Sequence, residues 1–299
     1  MHEVTHYWHW LLAIYLFLGG LAGACGFTGH FAEVFSKGRL KKLAEIGSYC
    51  VLPIIVLSLI ILVADLARPL YFWRFIITFR PSSLMSQGTW LLTLFAIFGG
   101  VITPAFFLSE KVDALSFLKG KDGARKVCQW IGAILGIGVA GYTGVLLSVK
   151  SLPMWGATSF LPAVFVASAT STGIALILLI ANLQAKKDEV AIGALEKADA
   201  IVIAFEAIAF AVLIFALKSA GGSAADAAAV LLSGEYAMMF WIGVVIVALL
   251  GPLALELYGI SAAKKAHPPA SLTTLACISV LVGGFIVRWM FMYGGQVVR

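Results

Sequence analysis

Three acidic residues in one long apolar stretch are spaced so that they could transfer protons. Glu206 lies in the middle of IVIAFEAIAFAVLIF, and Asp199 precedes it by seven residues. Because an α-helix rises about 10 Å over about two turns, both carboxyl groups are expected on one face of a helix. Glu196 precedes them near the same face. Ionisable residues are costly inside a membrane helix and are functional candidates by default, so the three residues form a candidate proton path. The alternatives are a neutral Glu206 that hydrogen-bonds to a neighbouring helix, and solvated side chains for the other two.

A second group of polar residues could bind a ring with carbonyl oxygens, such as a quinone. Tyr142, His9 and Arg288 are expected at a similar depth near the ends of three different apolar stretches, and Tyr15 follows His9 closely. Histidine and tyrosine can each donate a hydrogen bond to a carbonyl oxygen, and histidine can also carry the proton that is exchanged on reduction. These four residues are therefore candidate quinone ligands. The alternatives are an interfacial belt for the aromatic side chains and a snorkelling Arg288.

The remaining polar residues of the apolar stretches carry weaker signals. The hydroxyl-rich segment SATST, residues 168–172, could line a water chain or bond to its own backbone. Glu256 is expected at the membrane interface. The four cysteines are far apart in the sequence without a Cys-x-x-Cys motif, and no pair of histidines is expected inside the bundle. Neither an iron–sulfur cluster nor a haem is therefore expected in this protein.

The elements that must position these residues are eight apolar stretches. Hydrophobic residues make up 61% of the protein and charged residues only 12%, and the mean hydropathy is +1.00, which is typical of a membrane protein. Each stretch is near the length of about 20 residues that a spanning helix needs. None alternates with period two, so an all-α membrane bundle is expected rather than a β-barrel. The stretches are Trp8–Phe31, Ala44–Ala64, Gly88–Leu108, Val127–Val149, Trp155–Leu183, Lys197–Leu217, Tyr236–Tyr258 and Ser271–Tyr293.

The distribution of basic residues predicts an orientation. Two thirds of the 21 lysines and arginines lie in one set of loops, which is therefore expected in the cytoplasm. Both termini and the loop Asp65–Gln87 would then face outward from the cytoplasmic (inner) membrane. The net charge of +6 is explained by this topology and does not suggest nucleic acid as a partner. A single membrane domain over residues 1–299 is expected, and an arrangement as two four-helix halves is left open.

The loop Asp65–Gln87 is predicted to be a docking surface. It is too polar and too interrupted by proline to cross a membrane, yet it is rich in Trp, Phe and Arg. Such composition is more typical of a binding surface than of an idle connection. Asp65, Arg68, Trp73 and Arg80 are the candidate contacts.

Five motifs are distinctive as a set: the DLARP…RPSSLMS loop, WLLAIYLFLGGLAGA, GYTGVLLS, LPAVFVASATSTG and LVGGFIVRWMFMYGGQ. Together they resemble the NrfD-like family, the quinone-handling membrane subunits of polysulfide-reductase-type complexes. The resemblance covers most of the sequence and implies that Tyr142 is the quinone tyrosine, with His9 beside it. It also implies an outward-facing iron–sulfur subunit of the four-cluster type docked on the loop. A molybdopterin catalytic subunit is implied beyond that subunit.

The sequence therefore predicts an eight-helix quinone-binding membrane anchor without a metal of its own. It would exchange electrons between the menaquinone or ubiquinone pool and the iron–sulfur partner, with proton translocation left open. One alternative is a secondary transporter or a proton-conducting membrane protein. Paired helix interruptions would be expected for a transporter. The other is a purely structural anchor, which would leave Glu206 and Arg288 without a role.

Overall fold

A computed structural model describes residues 10–66, 68–148, 153–156, 159–184, 189–262 and 270–297. Within these ranges the protein contains no strand, and eight of its helices are long and apolar enough to cross a membrane. They are α1 (Trp10–Phe35), α2 (Lys41–Ala64), α3 (Leu84–Leu108), α4 (Asp122–Leu147), α5 (Leu161–Leu183), α6 (Val190–Ala220), α7 (Met239–Ser261) and α8 (Ser271–Val297). The predicted all-α membrane fold is confirmed.

Several helices begin at residues other than those predicted from the apolar stretches. Helices α4 and α6 begin earlier than predicted and include Arg125 and Glu196, both of which are buried. Hydropathy places these residues outside the membrane because it depends on the charge of each residue and does not include the partners that stabilise it. Helix α5 begins later than predicted, at Leu161, because Pro153–Gly156 forms a separate short helix before it.

The helix contacts divide the bundle into two groups of four. Helix α1 packs on α2 and α4, and α3 fills the remaining side of this group. In the second group α5 packs on α6, and α8 packs on both α7 and α5. The two groups meet mainly through α1, α4, α5 and α8. The arrangement as two four-helix halves, which the sequence leaves open, is therefore present.

Glycine allows the central helices to approach each other closely. A Cβ atom at Gly23 of α1 would lie 2.5 Å from the carbonyl oxygen of Gly136 in α4. A Cβ atom at Gly173 of α5 would lie 2.5 Å from the Cβ atom of Ala24. Small residues at such positions let membrane helices pack backbone to backbone. These contacts fix α1 between α4 and α5.

The outer surface of the bundle is apolar. On α6, for example, Ile201 and Phe215 are each more than two thirds exposed. Contiguous exposed apolar surface on this scale does not persist in water. It is the surface expected to face lipid.

Helices α3 and α7 each contain a wider, π-helical segment. These segments are Ala96–Ile102 and Met239–Leu250, so they occur in the third helix of each half. Such segments accommodate an extra residue without ending the helix and are frequent near functional sites. Neither segment was predicted, because both consist of ordinary apolar residues.

The two ends of the bundle differ in their loops. We call the end at which α1 begins the N-terminal face, which carries loops 65–83 and 221–238. The opposite face carries loops 36–40 and 109–121, where Lys41 forms a 2.8 Å ion pair with Glu110 and Lys111 pairs with Glu45. The hydrogen bond and the charge of Lys41 lower the pKa of Glu110 below its ordinary value. These pairs tie the loop after α3 to α2.

Candidate functional site

An apolar cavity lies near the N-terminal face within the first half of the bundle. Its volume is about 150 Å³, the size of an engineered protein cavity that holds a benzene ring. Two tyrosines, Tyr15 and Tyr142, supply phenol groups to a wall that is otherwise almost entirely apolar. The full lining comprises Tyr15, Leu59, Leu62, Val63, Leu66, Phe72, Phe75, Ile76, Met85, Gly88, Thr89, Leu92, Thr93, Tyr142 and Leu146.

Tyr142 is held in position from α3. Its hydroxyl donates a hydrogen bond of 3.1 Å to the carbonyl oxygen of Leu84. A Cβ atom at Gly88 would lie 2.0 Å from Cζ of the Tyr142 ring, so glycine is required where the ring crosses α3. Gly88 was not among the predicted site residues, because its role depends on a contact between two helices.

The predicted docking loop forms one wall of this cavity. Phe72, Phe75 and Ile76 reach the cavity from the loop, and Phe75 and Ile76 belong to its short helix Trp73–Ile77. The same loop exposes large apolar side chains to the outside, including Leu70 at 85%. A molecule bound in the cavity and a protein bound on the loop would therefore be separated by a single layer of side chains.

Three arginines surround a depression beside the cavity. Arg68, Arg74 and Arg80 line a space of about 570 Å³ that shares Leu66 and Phe75 with the cavity wall. None of the three forms an ion pair within the described part of the protein. The depression is thus a concentrated positive patch on the loop.

The other predicted docking residues shape the loop. Trp73 is about half exposed, and the Arg74 guanidinium lies 5.7 Å from its ring and 4.8 Å from that of Tyr71. The backbone N–H of Arg80 donates to the Ser86 hydroxyl. Asp65 ends α2, where its backbone N–H donates to the carbonyl oxygen of Ile61 at 3.1 Å.

His9 lies outside the described residues, so its predicted place in the quinone site stays a prediction. Tyr15 and Tyr142 are brought together as expected. Arg288 is placed elsewhere: it does not line the cavity with the tyrosines, and a Cβ atom at Gly20 of α1 would lie 3.5 Å from its Nη2 atom.

Arg288 lies deep in the protein rather than near a helix end. Helix α8 extends to Val297, about 13 Å beyond this residue, and the side chain is 0% exposed. A snorkelling position is therefore excluded. The guanidinium donates to the Ser168 hydroxyl and to the carbonyl oxygens of Gly284 and Phe165. These contacts join α8 to α5 in the second half of the bundle.

Glu206 is buried next to this arginine. Its carboxyl group interacts with the Ser168 hydroxyl and with the charge of Arg288. Glu206, Ser168 and Arg288 thus form one polar cluster contributed by α6, α5 and α8. The SATST segment therefore acts in both expected ways. The Ser168 hydroxyl contacts other side chains of the cluster, and the Thr172 hydroxyl donates to the backbone carbonyl oxygen of Ser168.

A second buried cluster lies between Glu206 and the opposite face. Asp199 is 0% exposed and neighbours Glu256 of α7 and Ser171 of α5, although neither carboxyl group makes a hydrogen bond in the described part of the protein. Glu256 lies near the end of α7 and is only 3% exposed, so other helices cover it, and its expected depth at the membrane interface stays a prediction. The sequence could not pair it with Asp199 because the two residues lie on different helices.

Glu196 completes the acidic series towards the opposite face. It is buried and accepts a hydrogen bond of 2.8 Å from the Thr273 hydroxyl of α8. The structure therefore brings Glu196, Asp199 and Glu206 into one buried polar series and adds Glu256 to it. Within the described ranges, no group of three or more His, Cys, Asp or Glu side chains is placed to hold a metal ion.

A third buried polar group lies near the opposite face in the first half. Arg125 donates to both carboxylate oxygens of Glu33, at 2.8 and 3.0 Å, and Gln129 contacts both residues. Arg125 was expected among the loop charges, and Glu33 was not singled out from the sequence. The pairing joins α4 to α1.

These features define a polytopic helical membrane protein in which a lipophilic cavity and a series of buried carboxyl groups are both built from the spanning helices. The family follows from comparison with known proteins. The family model described as polysulphide reductase, NrfD, matches residues 1–299, and the chain belongs to this family.

Three curated relatives agree with this assignment. The C subunit of polysulfide reductase from Wolinella succinogenes is 33% identical over 310 residues, covering 98% of this protein and 95% of the relative. The NrfD homolog of Haemophilus influenzae is 30% identical and NrfD of Escherichia coli 26%, each over 99% of this protein and 96% of the relative. The family resemblance expected from the motifs is confirmed.

Proposed function

We propose that this protein is the quinone-binding membrane subunit of a respiratory oxidoreductase complex. It exchanges electrons between the menaquinone or ubiquinone pool and an iron–sulfur subunit, and it carries no metal of its own. The observation that carries the proposal is the apolar cavity with two tyrosines. An apolar wall accepts a quinone ring, and a tyrosine hydroxyl can donate to one of its carbonyl oxygens.

The cavity and the docking loop support each other in this proposal. Electrons must pass between the quinone and the partner, so the two binding sites must be close together. Phe72 and Phe75 of the docking loop also line the cavity. The arginine depression adds a positive surface that fits a partner with exposed carboxylates. By its resemblance to the family, the partner is a four-cluster iron–sulfur subunit, with a molybdopterin catalytic subunit beyond it.

We propose that the protein lies in the inner membrane with its N-terminal face directed away from the cytoplasm. The excess of lysine and arginine in the loops of the opposite face supports this assignment. Quinone chemistry and partner docking then occur on the outward side. Family membership favours this function over a secondary transporter.

Protons for quinone reduction are proposed to enter from the cytoplasm. The series Glu196, Asp199, Glu256 and Glu206 runs from the opposite face towards the cluster of Ser168 and Arg288. Carboxyl groups that interact inside the membrane can hold a proton in the neutral form and pass it on. In this scheme Arg288 belongs to the proton path through the interaction of its charge with Glu206. Its role as a quinone ligand stays a prediction.

The whole proposal is tested with the purified complex. Iron–sulfur signals in the electron paramagnetic resonance spectrum should appear when a menaquinol or ubiquinol analogue is added under anaerobic conditions. A complex that assembles and contains reducible clusters, yet does not respond to quinol or quinone, contradicts the proposal.

Replacing Tyr142 with phenylalanine is expected to slow quinol-linked turnover while the complex still assembles. Turned away from the Leu84 carbonyl oxygen, the Tyr142 hydroxyl would donate to a buried quinone carbonyl oxygen. The variant removes this donor, which costs about 1–3 kcal/mol, or a rate loss of about 5-fold to 150-fold. Steady-state kinetics with a soluble quinol analogue measure the loss. Tyr258→Phe, at an exposed position on α7, is the matched control. Wild-type kinetics in Tyr142→Phe remove this residue from the site.

Charge reversal in the arginine depression is expected to weaken binding of the iron–sulfur subunit. Arg68→Glu combined with Arg80→Glu replaces attraction with repulsion at the proposed contact, which affects both affinity and register. Co-purification at increasing salt measures the effect. Lys119→Glu, in the loop of the opposite face, is the control. Unchanged co-purification of the double variant shows that the partner binds elsewhere.

A further inference from the structure

His30 occupies an unusual place near the end of α1 in the first half of the bundle. The residue is only 3% exposed, and neither ring nitrogen has a hydrogen-bond partner within the described part of the protein. Its ring lies edge-on to Trp130 of α4 at 4.6 Å between centroids. Buried polar groups are normally hydrogen-bonded, so two nitrogens without a protein partner require an explanation.

Two cavities share His30 and Gln129 in their linings. One is a cleft of about 450 Å³ at the opposite face. The other is an enclosed space of about 10 Å³, which is close to the smallest that holds a water molecule. The enclosed space is lined by Gly26, His30, Ala44, Ser48, Gly99, Thr103, Gln129 and Gly132. Its hydroxyl and amide groups could supply the two to four hydrogen bonds that a buried water needs.

The charged groups around His30 are already engaged or lie in the cleft. Both carboxylate oxygens of Glu33 are bound by Arg125, so Glu33 is satisfied without the imidazole. Arg125 also contacts Gln129. The other charged residues that line the cleft, from α2, α4 and the turn before α2, are Lys37, Lys41, Asp122 and Lys126. His30 is the only histidine among these groups, and histidine ordinarily changes its charge near neutral pH.

Phe95 separates this region from the tyrosine-lined cavity. Along α3, Leu92 lines the tyrosine-lined cavity and Gly99 lines the enclosed space at His30, with Phe95 between them. The Phe95 ring fills this position closely, since a Cβ atom at Gly99 would lie 2.8 Å from it. Phe95 therefore separates the space at His30 from the tyrosine-lined cavity.

We propose that His30 is a proton-exchange residue that is distinct from the acidic series of the second half. The ring takes up one proton from the water of the cleft and later returns it there. A water beside Ser48 and Gln129 hydrogen-bonds to the other ring nitrogen, so no further reactant or proton acceptor is needed. The site binds protons and water, and it does not depend on the quinone proposal.

The test is hydrogen exchange at the imidazole C2 position, measured by mass spectrometry on the intact protein in nanodiscs. The exchange rate at this position depends on the protonation state of the ring and on its access to solvent. For His30 we expect measurable exchange whose rate changes sigmoidally between about pH 5 and pH 8. The unfolded protein provides the reference rate. Absence of exchange over several days, or exchange that does not titrate, overturns the proposal and makes His30 a sealed structural residue.

A second measurement addresses proton binding. Potentiometric titration of the protein in nanodiscs between about pH 5 and pH 8 should show about one bound proton fewer for His30→Gln than for the wild type, with unchanged thermal stability. An unchanged titration overturns the proton-binding role. Exchange and titration of His30 in a protein that shows no quinone activity would overturn the proposed function alone, so the two failures are distinguishable.

Discussion

Replacing Arg125 with alanine is expected to destabilise the protein by about 3–5 kcal/mol, because it leaves the Glu33 carboxylate buried without a partner. The pair is almost completely removed from solvent, with side-chain exposures of 7% for both residues. Its two parallel hydrogen bonds have lengths of 2.8 and 3.0 Å. Gln129 alone cannot compensate for the charge of the lost guanidinium.

Thermal unfolding of the purified protein in detergent measures this effect as a lower apparent Tm. Lys126→Ala removes an exposed charge from the neighbouring position and is expected to change the stability little. The double variant Glu33→Gln with Arg125→Gln removes both charges and should recover part of the loss. A loss below about 1 kcal/mol in Arg125→Ala would mean that water reaches Glu33, as at an exposed pair.

Replacing Glu206 with glutamine is expected to slow quinone reduction by about 100-fold or more and to reduce the membrane potential that accompanies it. Glutamine has nearly the shape of glutamate and can still hydrogen-bond to Ser168, but it cannot take up and release a proton. If the acidic series delivers cytoplasmic protons to an outward-side quinone, the amide interrupts delivery. Arg288 would keep its hydrogen bonds to α5 and α8 but lose the opposing charge of Glu206. Assembly and thermal unfolding of the variant are therefore compared with the wild type before turnover is measured.

Proteoliposomes with a potential-sensitive dye test this prediction. Moving one charge across 100 mV corresponds to about 2.3 kcal/mol, which makes the loss of charge movement detectable. Glu235→Gln, at an exposed position on the N-terminal face, is the matched control. The competing scheme is electroneutral, with protons entering from the same side as the electrons. Full turnover and an unchanged potential in Glu206→Gln would support that scheme and return Glu206 to a packing role.

The candidate sites differ in how many of their residues could be predicted from the sequence. Tyr142 and Tyr15 were identified from residue type, expected depth and motif. Their cavity depends on Gly88 and on loop residues such as Phe72, and long-range contacts of this kind leave no periodic signal in a sequence. The seven-residue spacing of Asp199 and Glu206 predicted a shared helix face. Glu256 could not be added to them because its partner is on another helix.

Charged residues near helix ends show the same limit. Arg125 was interpreted as a loop charge, and the first apolar stretch was ended before Glu33. Each residue alone is too costly to bury, so hydropathy excludes both from the membrane. Together they form a bidentate pair that the protein can bury, which extends α1 and α4 beyond their predicted ends.

The apolar stretches and the motifs were sufficient to predict eight membrane-spanning helices and membership of the NrfD family. Lipid imposes the helices locally, because an apolar segment of sufficient length must satisfy its own backbone as a helix. Which polar groups meet became clear only from the packed bundle: Tyr142 with Gly88, Glu206 with Arg288, and Asp199 with Glu256. Each of these contacts joins different helices, and its geometry depends on how those helices pack rather than on the spacing of residues along one of them.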